Sequence, residues 1–208
     1  MVSLTATNER HSRSREPEAS PESWREAIAG SAIVQTLVAM VAVTLVGETV
    51  GTGTVALAAP IGDRPWTLLT SVYAHESVGH LLGNALVIAT AGTIVAYATT
   101  TTRFHAFVIA TGVAAGLTQI LLGRAFAWEV GVLGISGAGF ALLGYVMASN
   151  RASARVSDYL PRRVLIVLAV LLGAGLTILL GGENSAHAAH FTGTILGLVA
   201  GRYRLLAV

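Results

Sequence analysis

The chain has 208 residues, 53% of them hydrophobic and 12% charged, with a mean hydropathy of +0.68, values far from those of soluble globular proteins. Such a composition belongs to an integral membrane protein. All 13 cationic side chains are arginines that cluster at the ends of apolar stretches and form no solvated stripe, which argues against nucleic-acid binding, and the lack of cysteine removes disulfides, thiolate catalysis and Cys-ligated metals.

In chain order, residues 1–26 mix Arg, Glu, Ser and Pro without apolar periodicity and read as a flexible tail, unlike a cleavable signal peptide. Residues 27–208 read as one membrane domain. A spanning helix needs roughly 20 mostly apolar residues, and six segments qualify: about 31–48, 80–99, 104–123, 132–149, 163–180 and 186–205. The fourth and sixth are rich in Gly and Ala, which permits close helix approach and a central position, whereas the Leu/Val-rich fifth suits a lipid-facing place. The connection "GETVGTGTVALAAPIGDRPWTLLTSVYAHES" is too long for a turn and too amphipathic for a free loop, so it is expected to lie in the membrane interface. The fold class is therefore an all-α membrane protein of six transmembrane helices with an interfacial first outer loop. With the N-terminus inside, eleven of the thirteen arginines fall on the inner side and only Arg64 and Arg124 outside; both termini are accordingly expected to be cytoplasmic.

Polar groups inside such a bundle are costly and face its interior, so their depths matter before their chemistry. Counted from the outer ends at about 80, 132 and 186, Asn84, Ser136 and His190 each lie four residues in, roughly 6 Å deep at 1.5 Å per residue, and so share one layer. A serine hydroxyl becomes a nucleophile when a neutral imidazole takes its proton, a part that His190 can play for Ser136. Oxyanion donors are available in the Asn84 amide, the His80 ring and backbone N–H groups where the fourth helix starts, at Ile135 and Ser136. Gly134 and Gly137 flank the serine and would let a substrate backbone approach. Gly193 and Gly197 follow His190 along one face, and with Gly137, Ala141 and Gly144 they let the fourth and sixth helices come close enough for the ring to reach the hydroxyl. No carboxylate falls at that depth, so the reading is a Ser/His dyad whose histidine packs against Phe140, one turn below Ser136.

Each of these residues has a plainer reading alone: Ser136 as a small packing residue, His190 and Asn84 as interhelical hydrogen-bonding groups, Phe140 as core. Their common depth and complementary types favour the site. The stretch "HESVGH", residues 75–80, is not a zinc-protease helix, because its histidines are five residues and about 140° apart and Gly79 stands where the second ligand is needed. His187 and His190, three apart, lack a third ligand, so no metal is expected.

The motifs together resemble the rhomboid intramembrane serine proteases over residues 31–205. "HLLGN" from His80 to Asn84 is similar to the family's H-x-x-x-N, "GISG" from Gly134 to Gly137 to its G-x-S-G, and "AHFTGTILG" from Ala189 to Gly197 to its A-H-x-x-G-x-x-x-G. "RPWTLLTSVYAHES" is similar to the family's first outer loop, with His75 matching a histidine often found there. The resemblance implies Ser136 as nucleophile, His190 as base, a site opening to the outer face of the cell membrane, and cleavage of single-span transmembrane proteins without a cofactor. It also implies that the fifth helix and residues 181–186 act as gate and cap. Two positions depart from the pattern: Thr67 follows Trp66 where the family has arginine, and Phe140 stands where tyrosine is common. Two other classes compete for the same residues. A non-catalytic binder of transmembrane helices would have no physical need for the Ser/His pair, and a transporter would want inverted repeats and charged midplane residues that this sequence lacks.

Overall fold

The computed structural model describes residues 30–127, 131–150, 155, 159–180 and 186–207. The expected tail 1–26 and loop residues 181–185 lie outside the described residues. The architecture is all-helical, its only β pairing among those residues being an isolated antiparallel bridge between Leu57 and Val132.

Helix α1 (Ala32–Val50) starts where the Ser31 hydroxyl accepts from the Val34 N–H and stops at Gly51, whose φ of 93° suits glycine. The long connection that follows holds two 3₁₀ turns, Thr52–Thr54 and Ile61–Asp63, and the short helix α2 (Thr67–Tyr73). It is stitched to itself by side chains: the Arg64 guanidinium donates to the Gly53 carbonyl, the Trp66 indole to the Thr54 carbonyl at 3.1 Å and the Thr70 hydroxyl to the Val55 carbonyl at 3.0 Å. Helix α3 (Val78–Ala96) is capped by Ser77 and passes through a π-helical turn at Ile88–Gly92. It is followed by α4 (Thr101–Ala125), α5 (Ser136–Ser149), α6 (Arg162–Leu180) and α7 (His187–Arg202).

Helices α1, α3, α4 and α6 are long and apolar enough to cross a membrane. Their surfaces carry large apolar side chains outward, among them Leu45, Leu82, Leu121 and Leu171, as a lipid-solvated exterior requires. α5 and α7 are shorter and form the interior. They meet backbone to backbone: a Cβ on Gly193 would strike the Gly137 carbonyl, one on Gly197 the Ala141 carbonyl, and one on Gly144 would come within 2.6 Å of the Thr194 carbonyl oxygen. Close approach of this kind makes dispersion the cohesive force between helices where lipid leaves little hydrophobic drive. α6 packs more loosely outside this pair, seated where Gly173 leaves room for the Phe191 ring.

The fourth expected segment is corrected at its start. Residues 132–135 are not helical; Val132 pairs with Leu57, the Gly134 N–H donates to the Ser71 carbonyl at 2.8 Å, and Gly134 adopts φ 111°, so the helix begins at Ser136. "VLGI" is apolar whichever conformation it takes, which is why hydropathy extended the helix too far. The sixth likewise ends at Arg202, with Arg204 in a left-handed conformation.

Candidate active site

Ser136 is the first residue of α5, and His190 lies in the first turn of α7. Because Gly137 faces Gly193 across the seam, the two helix heads are near enough for His190 Nε2 to stand 2.9 Å from Ser136 Oγ. The ring is buried and stacks flat on Phe140, with centroids 4.3 Å apart and planes 11° from parallel. Its Nδ1 is buried without a hydrogen-bond partner among the described residues. A neutral ring accepting the Ser136 hydroxyl proton at Nε2 carries its own proton on Nδ1, so orientation comes from the stack and from α7, with no carboxylate behind the ring among the described residues.

Three of the expected residues line one cavity, though not at the equal distance from their helix starts that helix counting supplies. Asn84, Ser136 and His190 stand six, zero and three residues after the first residues of their helices. The 14 residues of α5 give a rise of only about 21 Å, less than a hydrocarbon core of about 30 Å, and its first residue, Ser136, borders a cavity. That cavity, about 660 Å³, is lined by His80, Asn84, Ser136, Phe140 and His190, with Glu76 and Gly131 also on its wall.

The start of α5 has no side-chain cap from Ile135, so the N–H groups of its first turn point toward the cavity end of the helix without an acceptor inside the helix. Ile135 is fully buried in the core, directly before the first residue of α5. Asn84 is buried, and its amide nitrogen donates to the His80 carbonyl at 3.2 Å. His80 is half-buried, with Nδ1 3.8 Å from the Glu76 carboxylate and its ring edge-on to His75 at 5.1 Å. His75 lies beneath it, 1% exposed, bonded through Nδ1 to the Tyr73 carbonyl at 2.9 Å and through its backbone N–H to the Thr44 hydroxyl of α1 at 3.1 Å.

Gly134 and Gly137 stand where a side chain would clash. A Cβ on Gly134 would lie 2.8 Å from His80 Cε1 and 3.6 Å from Asn84 Nδ2, so this glycine makes room for the site's own side chains. Gly137 faces Ala115 and Gly193, the close helix contact expected of it. His187 is exposed and borders a separate, mostly apolar cavity between α4, α6 and α7. Among the described residues no group of three His, Cys, Asp or Glu side chains gathers as metal ligands.

Sequence reasoning missed Gln119. From α4 its side-chain oxygen accepts the backbone N–H groups of Ala188 at 3.0 Å and Ala189 at 3.3 Å, beside His190. A lone glutamine in an apolar helix carries no spacing signal that points to a backbone target on another helix.

The Rhomboid domain family profile matches residues 62–206, most of the chain and all of the site. The chain belongs to the rhomboid family. No curated protein matches it. Family membership and the apolar helices make it a rhomboid membrane protein.

Proposed function

We propose that this rhomboid protein is an intramembrane serine endopeptidase. The observation that carries the reading is the 2.9 Å approach of His190 Nε2 to Ser136 Oγ at the head of α5, beside a cavity that also holds Asn84 and His80. Ser136 attacks the scissile carbonyl while His190 takes its proton. The C–N bond then breaks as His190 returns that proton to the leaving amine, and water, activated by the same ring, releases the acyl group from the serine. The developing oxyanion is held by backbone N–H groups at Ile135 and Ser136, by the Asn84 amide turned from the His80 carbonyl, and by His80. No step requires a cofactor. Substrates are single-span transmembrane proteins, reached within a six-span bundle whose connection from residue 51 to 77 rests at the outer membrane interface and whose termini are cytoplasmic in the cell membrane. α6, with the loop that follows it, gates entry.

The test is covalent labelling of the folded protein in detergent by a fluorophosphonate, run beside cleavage of a single-span substrate. Wild type is expected to label and cleave, with Ser136→Ala and His190→Ala losing both. Folded wild type that neither labels nor cleaves transfers the site to a helix-binding role. Turnover is also expected to fall as an imidazole base becomes protonated, and a rate unchanged from about pH 7 to about pH 4 excludes His190 as the base.

A further inference from the structure

The first turn of α7 presents the backbone N–H groups that every helix start leaves without an internal acceptor. Its own cap residue, Ala186, has no side chain able to accept them. Both bonds are instead supplied from a different helix. The Gln119 side chain, projecting from α4, takes the N–H groups of Ala188 and Ala189 on one oxygen. The residue that follows is His190, and the Ala189 carbonyl faces Gly137 across the seam with α5. Gln119 therefore ties α4 to the one turn of α7 whose axial and rotational setting determines where the imidazole lies. Among the described residues the ring has no partner at Nδ1, so its placement rests on the Phe140 stack, the Ser136 contact and the setting of this turn.

We infer that Gln119 is a positioning residue for the dyad, acting as an N-terminal cap for α7 supplied from α4; the inference rests on the protease reading for its effect on rate. Without the acceptor, two N–H groups in a low-polarity site seek other partners and the first turn loosens. Misplacement of a reacting group by about 1 Å costs up to about 100-fold in rate, so a loss of roughly 10-fold to 100-fold in kcat is expected, with KM little changed.

The experiment compares full-length wild type, Gln119→Met and Gln119→Glu in detergent by two readouts. Amide hydrogen exchange over residues 187–190 reads the cap directly, and the rates of fluorophosphonate labelling and substrate cleavage read its consequence. Gln119→Met, similar in length but without the acceptor, is expected to exchange faster there and to label and cleave more slowly while melting as a folded protein. Gln119→Glu keeps a side-chain oxygen and is expected to restore both. Unchanged exchange in Gln119→Met overturns the cap, and faster exchange with undiminished labelling overturns the positioning role. Should Gln119→Met fail to fold, Gln119→Glu still decides, since loss of its protection at 187–190 contradicts an acceptor role. An unreactive wild type defeats the protease reading and with it the effect on rate, while exchange separately reports the cap.

Discussion

At the scale of single residues, the site is specified by what each side chain can donate or accept. Replacing Asn84 by alanine removes the proposed oxyanion donor from a buried position, a loss that typically costs 10²–10³ in turnover; Asn84→Ala is expected to melt close to wild type and to show that deficit in kcat. Full turnover in the variant contradicts the assignment. His75 is expected to matter differently. Burial pushes its imidazole down to about 4, with neighbouring His80 adding to the effect. A folded-state value below the ordinary 6.5 or so means that stability present above about pH 6.5 is lost as pH falls toward 4. Thermal unfolding followed across that window should show the decline in wild type and a shallower one in His75→Asn; parallel curves refute it. The residues now seen around the cavity were legible in the sequence where chemistry demanded a type: a serine, an imidazole and an amide. The tasks of Gly134 and Gln119 were not legible, because both depend on what lies across from them in space, an incoming histidine ring for one and a neighbouring helix's backbone for the other.

At the scale of elements, the contact between α5 and α7 sets the distance between hydroxyl and ring. Because a Cβ on Gly197 would strike the Ala141 carbonyl, Gly197→Val must push the helices apart. Overpacking of this sort costs about 1–3 kcal/mol or more, so a lowered melting temperature is expected together with slower fluorophosphonate labelling, although position 197 lies about two turns from His190. Labelling at the wild-type rate separates the seam from the dyad and refutes the connection. The existence of these helices could be read from apolar runs and small-residue spacing. The residue at which α5 begins could not, since it depends on a bridge between Leu57 and Val132, 75 residues apart in sequence, and on the hydrogen bond from Gly134 to Ser71.

At the scale of the whole molecule, the arginine distribution makes a claim about sidedness that the helices alone do not. The absence of cysteine permits a clean check: single cysteines introduced at Gly62 and Ser12 are expected to react with an impermeant maleimide from the outside and only after permeabilisation, respectively. The reverse pattern would invert the proposed topology. A mechanical consequence follows from the glycine seam. Where two helices touch through their main chains, there are no long side chains between them to change rotamer and absorb a displacement, so α5 and α7 behave as one stiff frame. Ser136 and His190, the proposed nucleophile and base, ride on that frame together. Any motion that admits a substrate then falls to parts mounted outside it, and α6, resting on the frame through the hollow at Gly173, is placed to swing without disturbing the 2.9 Å contact between Ser136 and His190.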